Sequence, residues 1–378
     1  MEYRGQADFA HGGIPATGIL LTNLGTPDAP DAPALRRYLR EFLGDPRVIE
    51  LPRILWWTIL NLFVLPSRPA KSAALYRKVW TDQGSPLLET VKRQARGIDE
   101  ILRREVGSPV HVAYGMRYGN PSIGEALRSL GSQGCRRILV FPLYPQYSGA
   151  TVGSTFDAVA AELATWRWVP ELRTIHQYHD DPAYIRALAA SIRELWEREG
   201  EPEKLLFSFH GIPLRYFQAG DPYFCQCQKL ARLTAESLAI PRERWEVSFQ
   251  SRFGREEWLK PYTDKVVSAL PKAGVRKLDV VSPGFSADCL ETLEELDQQN
   301  REFFHHAGGE RFRYIPALND RPDHLGVLAG IVLRNLGGWV TPAGSWNGAE
   351  AEAQAAGSAR RAEALRAAPV REDAGYGE

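Results

Sequence analysis

A histidine at the end of an apolar run is the clearest candidate for chemistry in this sequence. His210 closes the run Leu205–His210, and Gly211 and Pro213 follow it. The glycine allows a sharp turn and the proline restricts the exit, so the imidazole would face a cleft. A neutral imidazole can accept a proton or bind a transition metal near neutral pH. The alternative is a structural histidine bonded to a nearby backbone carbonyl.

A row of carboxylates late in the chain is the second candidate. Asp288, Glu291 and Glu295 recur at helical spacing in the predicted helix Asp288–Phe304, where they would line one face. Crowded carboxylates repel one another unless protons or cations neutralise them, so such a row can pass protons or metal ions along. The alternative is a solvated acidic face, which the dipole favours near a helix start.

The third candidate is a segment rich in aromatic and aliphatic residues between Leu51 and Tyr76. It is either a buried helix or an exposed apolar lip with a basic edge that includes Arg68. A lip of this kind would suit a flat apolar ligand that bears carboxylates, or a membrane surface.

Short β-branched runs alternate with longer helical patterns, and these elements must position the three candidates. The predicted strands are Ile19–Leu24, Val110–Met116, Arg137–Leu143, Leu205–His210, Trp245–Phe249 and Lys277–Ser282. Helical patterns between them include Pro86–Glu105, Pro182–Glu199, Phe224–Leu238 and Asp288–Phe304. The alternation predicts an α/β fold with two similar lobes, each built on a parallel sheet flanked by helices. Ligands of such sheets bind beyond the carboxyl ends of the strands.

We expect four regions along the chain. Residues 1–17 form a flexible N-terminus, 18–180 an N-terminal lobe that carries the lip, and 181–338 a C-terminal lobe that carries His210 and Glu291. Residues 339–378 form an alanine-rich tail that we expect to be disordered, with a loose helix as the alternative.

Composition and missing motifs exclude several classes of protein. The 46 basic and 46 acidic side chains cancel, so no nucleic acid partner is expected. Neither the dinucleotide-binding G-x-G-x-x-G after the first strand nor the nucleotide-binding G-x-x-x-x-G-K-[ST] occurs. Four scattered cysteines and the lack of an apolar signal sequence predict a cytoplasmic protein. The most apolar stretch, Ile54–Leu65, is too short to cross a bilayer but could contact its surface.

Five motifs in one order resemble the ferrochelatase family, and the resemblance runs from Gly18 to about Gly337. The motifs are Leu20–Pro27, Phe141–Ser148, Phe207–Pro213, Gly220–Tyr223 and Phe285–Asp297. The resemblance implies two Rossmann-like lobes of the chelatase type with a porphyrin cleft between them. It also implies a lyase that inserts Fe²⁺ into protoporphyrin IX with release of two protons, which is the terminal step of haem synthesis.

The resemblance assigns roles to individual residues. His210 and Glu291 match the family's catalytic and metal-binding pair, while Asp288 and Glu295 match acidic residues that lead toward the surface as a relay. The residues that match porphyrin contacts are Leu24, Arg68, Ser85, Arg117, Tyr118, Tyr147, Ser148 and Thr155. Some members, chiefly those resembling coproporphyrin enzymes, carry tyrosine at the position of Leu24, so the leucine favours protoporphyrin IX.

One further departure from the family and two alternative functions complete the sequence-based expectations. The tail lacks the extra cysteines of members that hold an iron–sulfur cluster, so we expect no cluster, no tightly bound cofactor, and iron as a substrate. Which of His210 and Glu291 binds iron and which accepts protons stays open. The alternative functions are another tetrapyrrole chelatase, using coproporphyrin or Co²⁺ or Ni²⁺, and a porphyrin carrier without catalysis.

Overall fold

Two four-stranded parallel sheets form the framework of the protein in a computed structural model that describes residues 2–5, 9, 11–254 and 256–367. The strands are β1 (Ala16–Thr26), β2 (Val110–Gly119), β3 (Cys135–Pro142), β4 (Glu171–Thr174), β5 (Lys204–His210), β6 (Trp245–Gln250), β7 (Lys277–Val281) and β8 (Arg311–Ile315). The first sheet has the order β2-β1-β3-β4 and the second the order β6-β5-β7-β8. The structure therefore confirms the predicted α/β class with two similar lobes.

Helices connect the strands and flank the sheets. The α-helices of the described residues are α1 (Ala32–Gly44), α2 (Arg53–Ile59), α3 (Leu65–Val79), α4 (Pro86–Glu105), α5 (Ile123–Ser132), α6 (Ser154–Leu163), α7 (Pro182–Glu199), α8 (Leu214–Gln218), α9 (Tyr223–Leu238), α10 (Thr263–Ala269), α11 (Asn300–His306), α12 (Pro322–Asn335) and α13 (Gly348–Ala367). Short 3₁₀ turns occupy Arg242–Arg244 and Pro271–Ala273. Wider π-helical turns occupy Leu60–Val64, Gly149–Gly153 and Glu291–Gln299.

Local sequence signals set several helix starts. Ser122 and Glu125 form a capping box at α5, in which each side chain accepts a hydrogen bond from the backbone of the other residue. Asp181 caps α7 by accepting from the Ala183 amide at 2.8 Å, and Pro182 fills the first turn, where its missing N–H costs no hydrogen bond.

The central strand of each sheet is apolar on both faces, as expected of a parallel sheet covered by helices on both sides. On β1, Leu20 points into a cluster on one face, whereas Ile19 and Leu21 point into a larger cluster on the other. The same larger cluster contains Phe207 and Phe209 of β5. The inner faces of the two sheets thus share one hydrophobic core.

Helix α12 follows the last strand of the second lobe but packs on the first. It lies against α4 and α7 and also contacts β3. The carbonyl of Trp339, just beyond α12, accepts hydrogen bonds from Thr17 and Arg137 of the first lobe. The division of the chain near residue 180 stays a prediction, because the end of the chain returns across it.

The structure departs from the sequence-based expectations at several elements. The short strands β4 and β8 were not predicted. The helix expected over Asp288–Phe304 begins later, since Asp288 precedes it and Glu291–Gln299 has the π form. The disorder expected for the tail is wrong for Gly348–Ala367, because this run of good helix formers is helical, and residues 368–378 lie outside the described part.

A buried histidine on α12 predicts how stability depends on pH. Burial lowers the pKa of His324 to about 4, from an ordinary value of 6.5 in the unfolded chain. Between these values the unfolded chain binds a proton that the folded protein does not, so stability falls as the pH drops from 6.5 to 4. We expect a loss on the order of 3 kcal/mol from this residue, and the variant His324→Gln should show a much smaller loss in urea unfolding at pH 7 and 4.5.

The exposed His306 provides the control, because the variant His306→Gln should retain the acid sensitivity of the wild-type protein. An unchanged difference between the two pH values in His324→Gln would show that other groups cause the acid loss.

Candidate active site

His210 lies at the carboxyl end of β5, half-buried, with its backbone paired to Gln250 of β6. Its Nδ1 lies 2.7 Å from the Gly211 carbonyl oxygen. Since a carbonyl only accepts, Nδ1 carries the proton and Nε2 of the neutral ring keeps its lone pair. A side chain at Gly211 would lie 2.9 Å from the Gln250 oxygen, so the close approach of the two strands requires glycine there. His210 therefore makes the predicted structural hydrogen bond through Nδ1, and its Nε2 keeps a lone pair for a proton or a metal.

Glu295 lies close enough to both His210 and Glu291 for their charges to shift its pKa. Burial and the negative charge of Glu291 raise the pKa of this carboxyl. Hydrogen bonds from Ser251 and the positive form of His210 oppose the rise without cancelling it, so the net direction is upward. The structure thus brings together three of the four residues predicted for catalysis and relay, from segments that are far apart in the chain.

Ser251 holds the Glu295 carboxylate with two hydrogen bonds. Its amide donates to Oε1 at 2.9 Å and its hydroxyl donates to Oε2. Ser251 directly follows β6 and has a φ of 66°, which is rare for a residue with a side chain. This backbone conformation turns both donors toward Glu295, and it is the kind of strain that accompanies functional sites.

Glu291 faces the first lobe. Burial is the largest cause of the raised pKa of Tyr76 on α3, and the negative charge of Glu291 is the second largest. The same charge also contributes to the raised pKa values of Tyr38 and Tyr144. Leu290, the residue before it, packs in one cluster with Leu24 at the end of β1. Two carboxyl ends of strands, one from each lobe, therefore meet around Glu291.

The π-helical form changes which residues share a face. Hydrogen bonds from residue i to i+5 widen each turn, so residues four apart fall more nearly above one another than in an α-helix. Glu291, Glu295 and Gln299 are spaced in this way. The third member of the row is an amide, whose Nε2 donates to Glu294 at 2.5 Å.

Asp288 is buried and fully occupied by hydrogen bonds. Its Oδ1 accepts from Thr292 Oγ1 at 2.9 Å, from the Tyr314 hydroxyl at 2.8 Å and from the Ala317 amide at 3.3 Å. Its Oδ2 accepts from Asn319 Nδ2 at 2.8 Å. These bonds fix the start of the π-helix and favour a positioning role, while the relay role of Asp288 stays a prediction.

An ion pair joins the lobes beside the π-helix. Lys78 of α3 contacts the Glu294 carboxylate at 2.8 Å, and the Glu294 side chain is only 2% exposed. A buried carboxylate needs such a partner, since desolvation of an unpaired charge is costly. The pair ties the helix that carries Tyr76 to the helix that carries Glu291 and Glu295.

Arg117 and Tyr118, both predicted porphyrin contacts, belong to a polar network in the first lobe. The Arg117 guanidinium and the Tyr118 hydroxyl donate to the same oxygen of Asp45, at 2.5 and 2.8 Å. Arg117 also donates to Ser154, whose hydroxyl donates to that Asp45 oxygen at 2.5 Å. The network stiffens the end of β2, and direct contact with porphyrin stays a prediction for both residues.

The other predicted porphyrin contacts fall into two groups. Tyr147, Ser148 and Thr155 follow β3, and the buried Thr155 hydroxyl makes no hydrogen bond in the described structure. Ser85 is buried at the start of α4, and Arg68 is exposed on α3. Together with Leu24, all of them lie in the first lobe. The structure does not gather them into one shared hydrogen-bond network.

The apolar segment Leu51–Tyr76 combines both predicted alternatives. Trp56, Leu60 and Leu65 are buried in a cluster of their own. The opposite side exposes large apolar side chains, namely Leu51, Ile54, Leu55, Trp57, Leu62 and Phe63. We call this exposed set the lip. A contiguous exposed apolar surface of this kind marks an interaction site.

The two surface hollows lie away from His210 and Glu291, and the described residues contain no cluster of metal ligands. Hollows of about 410 and 420 Å³ lie along α7, one beside α12 and the other beside residues 315–321, and neither contains His210 or Glu291. Within residues that the structure describes, no group of three or more His, Cys, Asp and Glu side chains could hold a metal ion. The candidate site therefore lies at the ends of β5 and β6, where Ser251, next to the strand partner of His210, holds Glu295.

Sequence reasoning missed Ser251 and the tyrosines around Glu291. Ser251 follows the predicted strand Trp245–Phe249 at the carboxyl end where a ligand is expected, although nothing in the sequence signals its backbone conformation. Tyr76 ends the apolar segment Leu51–Tyr76 and Tyr144 lies in the motif Phe141–Ser148, but nothing in the sequence signals that they and Tyr38 lie near Glu291.

The chain resembles known proteins in both sequence and fold. A family model described as Ferrochelatase matches residues 16–336. The ferrochelatase of Thioalkalivibrio sulfidiphilus is 57% identical over 339 residues, which cover 90% of this chain and 92% of that protein. The ferrochelatase of Nitrosococcus oceani is 54% identical over 361 residues, 96% of this chain and 98% of that protein. The solved structure of SirB from Bacillus subtilis with Fe³⁺ aligns with a TM-score of 0.51 at 12% identity, covering 84% of this chain and 95% of that one, and shows a similar fold.

The bonds of Asp288 predict a loss of stability when its charge is removed. In Asp288→Asn one carboxylate oxygen becomes an NH₂ group, which would face a hydrogen-bond donor. We expect the free energy of unfolding in urea to fall by about 1.5–3 kcal/mol. The variant Asp297→Asn, which removes a surface ion pair with Arg301 on the same stretch, should cost less than about 1 kcal/mol. Equal stability of Asp288→Asn and the wild type would contradict the positioning role.

Proposed function

The chain belongs to the ferrochelatase family, and we propose that its His210 and Glu291 face the centre of a porphyrin ring bound between the lobes. The protein is an enzyme that inserts Fe²⁺ into a porphyrin in haem synthesis. One observation carries the assignment of the site. Ser251, next to the strand residue that pairs with His210, holds Glu295 with two hydrogen bonds, and Leu290, next to Glu291, packs with Leu24 of the opposite lobe.

Insertion replaces two pyrrole N–H protons with one metal ion, so the site needs metal ligands and proton acceptors. His210 Nε2 has a free lone pair that can serve either purpose. Glu291 offers a carboxylate for the metal, and Glu295, whose pKa is raised, holds a proton more readily than an ordinary carboxyl group. Glu295 would take protons from the site and pass them outward.

The ring must also be bent so that nitrogen lone pairs face the metal. Such a distortion costs on the order of a few kcal/mol and has to be offset by contacts remote from the metal. Leu24 and the loop Tyr147–Thr155 would contact the ring and its edge, and Arg68 would meet a propionate. Arg117 and Tyr118, held by Asp45, would form a stiff wall behind them.

We assign protoporphyrin IX as the porphyrin. Leu24 packs in an apolar cluster with Leu290, next to Glu291. An apolar wall at this position suits the vinyl groups of protoporphyrin better than the additional propionates of coproporphyrin.

Iron enters as a substrate, with no tightly bound cofactor and no iron–sulfur cluster. The four cysteines are spread through the structure rather than gathered at one place. Cys135 lies in a separate core cluster of the first lobe and Cys225 is exposed, while Cys227 and Cys289 both belong to the shared core. A cluster would need its cysteines within reach of one centre.

We further propose that the protein acts in the cytoplasm and that the lip touches a membrane surface. No helix in the described part of the chain is both long enough and apolar enough to span a bilayer. Ile54, Trp57 and Phe63 of the lip are 86%, 66% and 67% exposed. Such side chains can enter the boundary between headgroups and acyl chains without spanning it.

The site assignment predicts that binding and insertion can be separated. Under anaerobic conditions, wild-type protein should convert protoporphyrin IX and Fe²⁺ to haem faster than it converts coproporphyrin III. The variant His210→Ala should bind protoporphyrin with nearly unchanged affinity, as measured by absorbance, but should insert iron at least about a hundredfold more slowly, as expected on removal of a group that acts in the transition state.

The exposed His306, far along the chain from β5, gives the matched control His306→Ala, which should insert iron at the wild-type rate. Near-normal insertion by His210→Ala would remove this residue from the mechanism. A preference for coproporphyrin III would overturn the substrate assignment alone.

The lip predicts association with lipid vesicles. Replacing Trp57 or Phe63 with serine should weaken binding to vesicles by at least about tenfold each, since burying one large apolar side chain contributes about 1.5–3 kcal/mol. Co-sedimentation measures the bound fraction. Phe303→Ser, which changes an exposed aromatic residue on α11, is the control and should bind vesicles like the wild type. Equal binding by all four proteins would exclude the lip as the contact.

A further inference from the structure

The motif Gly220–Tyr223 has no part in the chemistry described above, yet its aspartate reaches across to the other lobe. We propose that Asp221, assisted by Gln226, is a positioning residue that holds the porphyrin loop Tyr147–Thr155 of the first lobe against the lobe that carries His210. This inference rests on the proposed function, because it concerns the same porphyrin site. It assigns a role in the affinity for porphyrin and none in the capture of iron.

Asp221 makes two hydrogen bonds to the loop with one oxygen. Its Oδ2 accepts from the Ser148 hydroxyl at 3.0 Å and from the Gly149 amide at 2.8 Å. Its Oδ1 accepts from the Tyr223 amide at 3.0 Å, which ties the side chain to the start of α9. Hydrogen bonds to a carboxylate are stronger than those between neutral groups. Ser148 is buried, so its hydroxyl has little access to water as an alternative partner.

Gln226 adds a third bond one turn further along α9. Its Oε1 accepts from the Tyr147 amide at 2.7 Å, and its Nε2 donates to Gln177 of the first lobe. The side chain is 8% exposed. The start of α9 thus holds three consecutive residues of the loop through their backbone amides or side chains, namely Tyr147, Ser148 and Gly149.

Helix α9 is in turn fixed to the strands that carry the site. The Phe224 ring stacks on Phe249 with centroids 5.7 Å apart, and Phe249 lies on β6 shortly before Ser251. His210 and Asp221 are joined by the short segment that includes α8. The distance between the loop and His210 is therefore set through Asp221 and α9.

The far end of the loop is held within its own lobe. Arg47 binds Asp157 through two nitrogen atoms, at 2.5 and 3.0 Å, just after Thr155. Loss of the Asp221 bonds would release only the end of the loop nearest α9, leaving the lobe itself intact. We therefore expect a change in porphyrin binding rather than in overall folding.

The test is Asp221→Asn, which keeps the shape of the side chain. An amide has one acceptor oxygen, whereas all three groups around Asp221 are donors, so the NH₂ group must oppose at least one of them. The KM for protoporphyrin and its dissociation constant without metal, from fluorescence quenching, should rise about tenfold. The KM for Fe²⁺ should stay within about twofold of the wild-type value, since no iron-binding group has changed.

Two further variants sharpen the test. Gln226→Met removes the third bond and should raise the porphyrin KM in the same direction. Adding Ser148→Ala to Asp221→Asn should raise it by less than the product of the separate effects, because both changes affect the same bond. The control Asp180→Asn removes an ion pair with Lys229, also on α9, and should leave both KM values unchanged.

Each outcome decides the question. An unchanged porphyrin KM in both Asp221→Asn and Gln226→Met, or an equal rise in the KM values for porphyrin and iron, would overturn the positioning role. If Asp221→Asn does not fold, Gln226→Met alone decides. Failure of the proposed function would instead show in the wild-type protein, which would neither bind nor metallate the porphyrin.

Discussion

The parallel pairing of β5 with β6 and β7 is the interaction on which the site depends. It places the end of β5, with His210, beside the end of β6, with Ser251, and beside the segment that leads from β7 to Glu291. Since all three strands run in one direction, their carboxyl ends meet at one edge of the sheet. The first lobe repeats this order of strands, so Leu24 at the end of β1 approaches from the other side.

The carboxylates around this edge differ in how their charge is balanced. Asp288 accepts hydrogen bonds from four donors, and Glu294 forms an ion pair with Lys78. Glu295 accepts hydrogen bonds from Ser251, and a positive charge on His210 would lower its pKa. The charge of Glu291 acts instead on groups that stay protonated, such as Tyr76 and Cys289, whose pKa values it raises. In the proposed reaction, a divalent metal would place a positive charge next to Glu291.

The sequence was most informative where a pattern is local. The end of β5, the helices α4 and α7 and the exposed side of the lip all follow from runs of residue types and from Gly and Pro. The short edge strands β4 and β8 were missed because arginines interrupt their apolar pattern, as in Arg311 and Arg313. The π form of Glu291–Gln299 and the turned backbone of Ser251 were missed too, since tertiary contacts and not composition select them.

The return of α12 to the first lobe has a consequence for synthesis on the ribosome. The inner face of β1 and one side of α4 belong to a core that α7, β5 and α12 complete. The N-terminal half of a nascent chain therefore emerges with uncovered apolar surface and cannot close its core until nearly the whole protein has been translated. Such a chain would be exposed to aggregation during elongation and would benefit from a chaperone that shields the growing polypeptide.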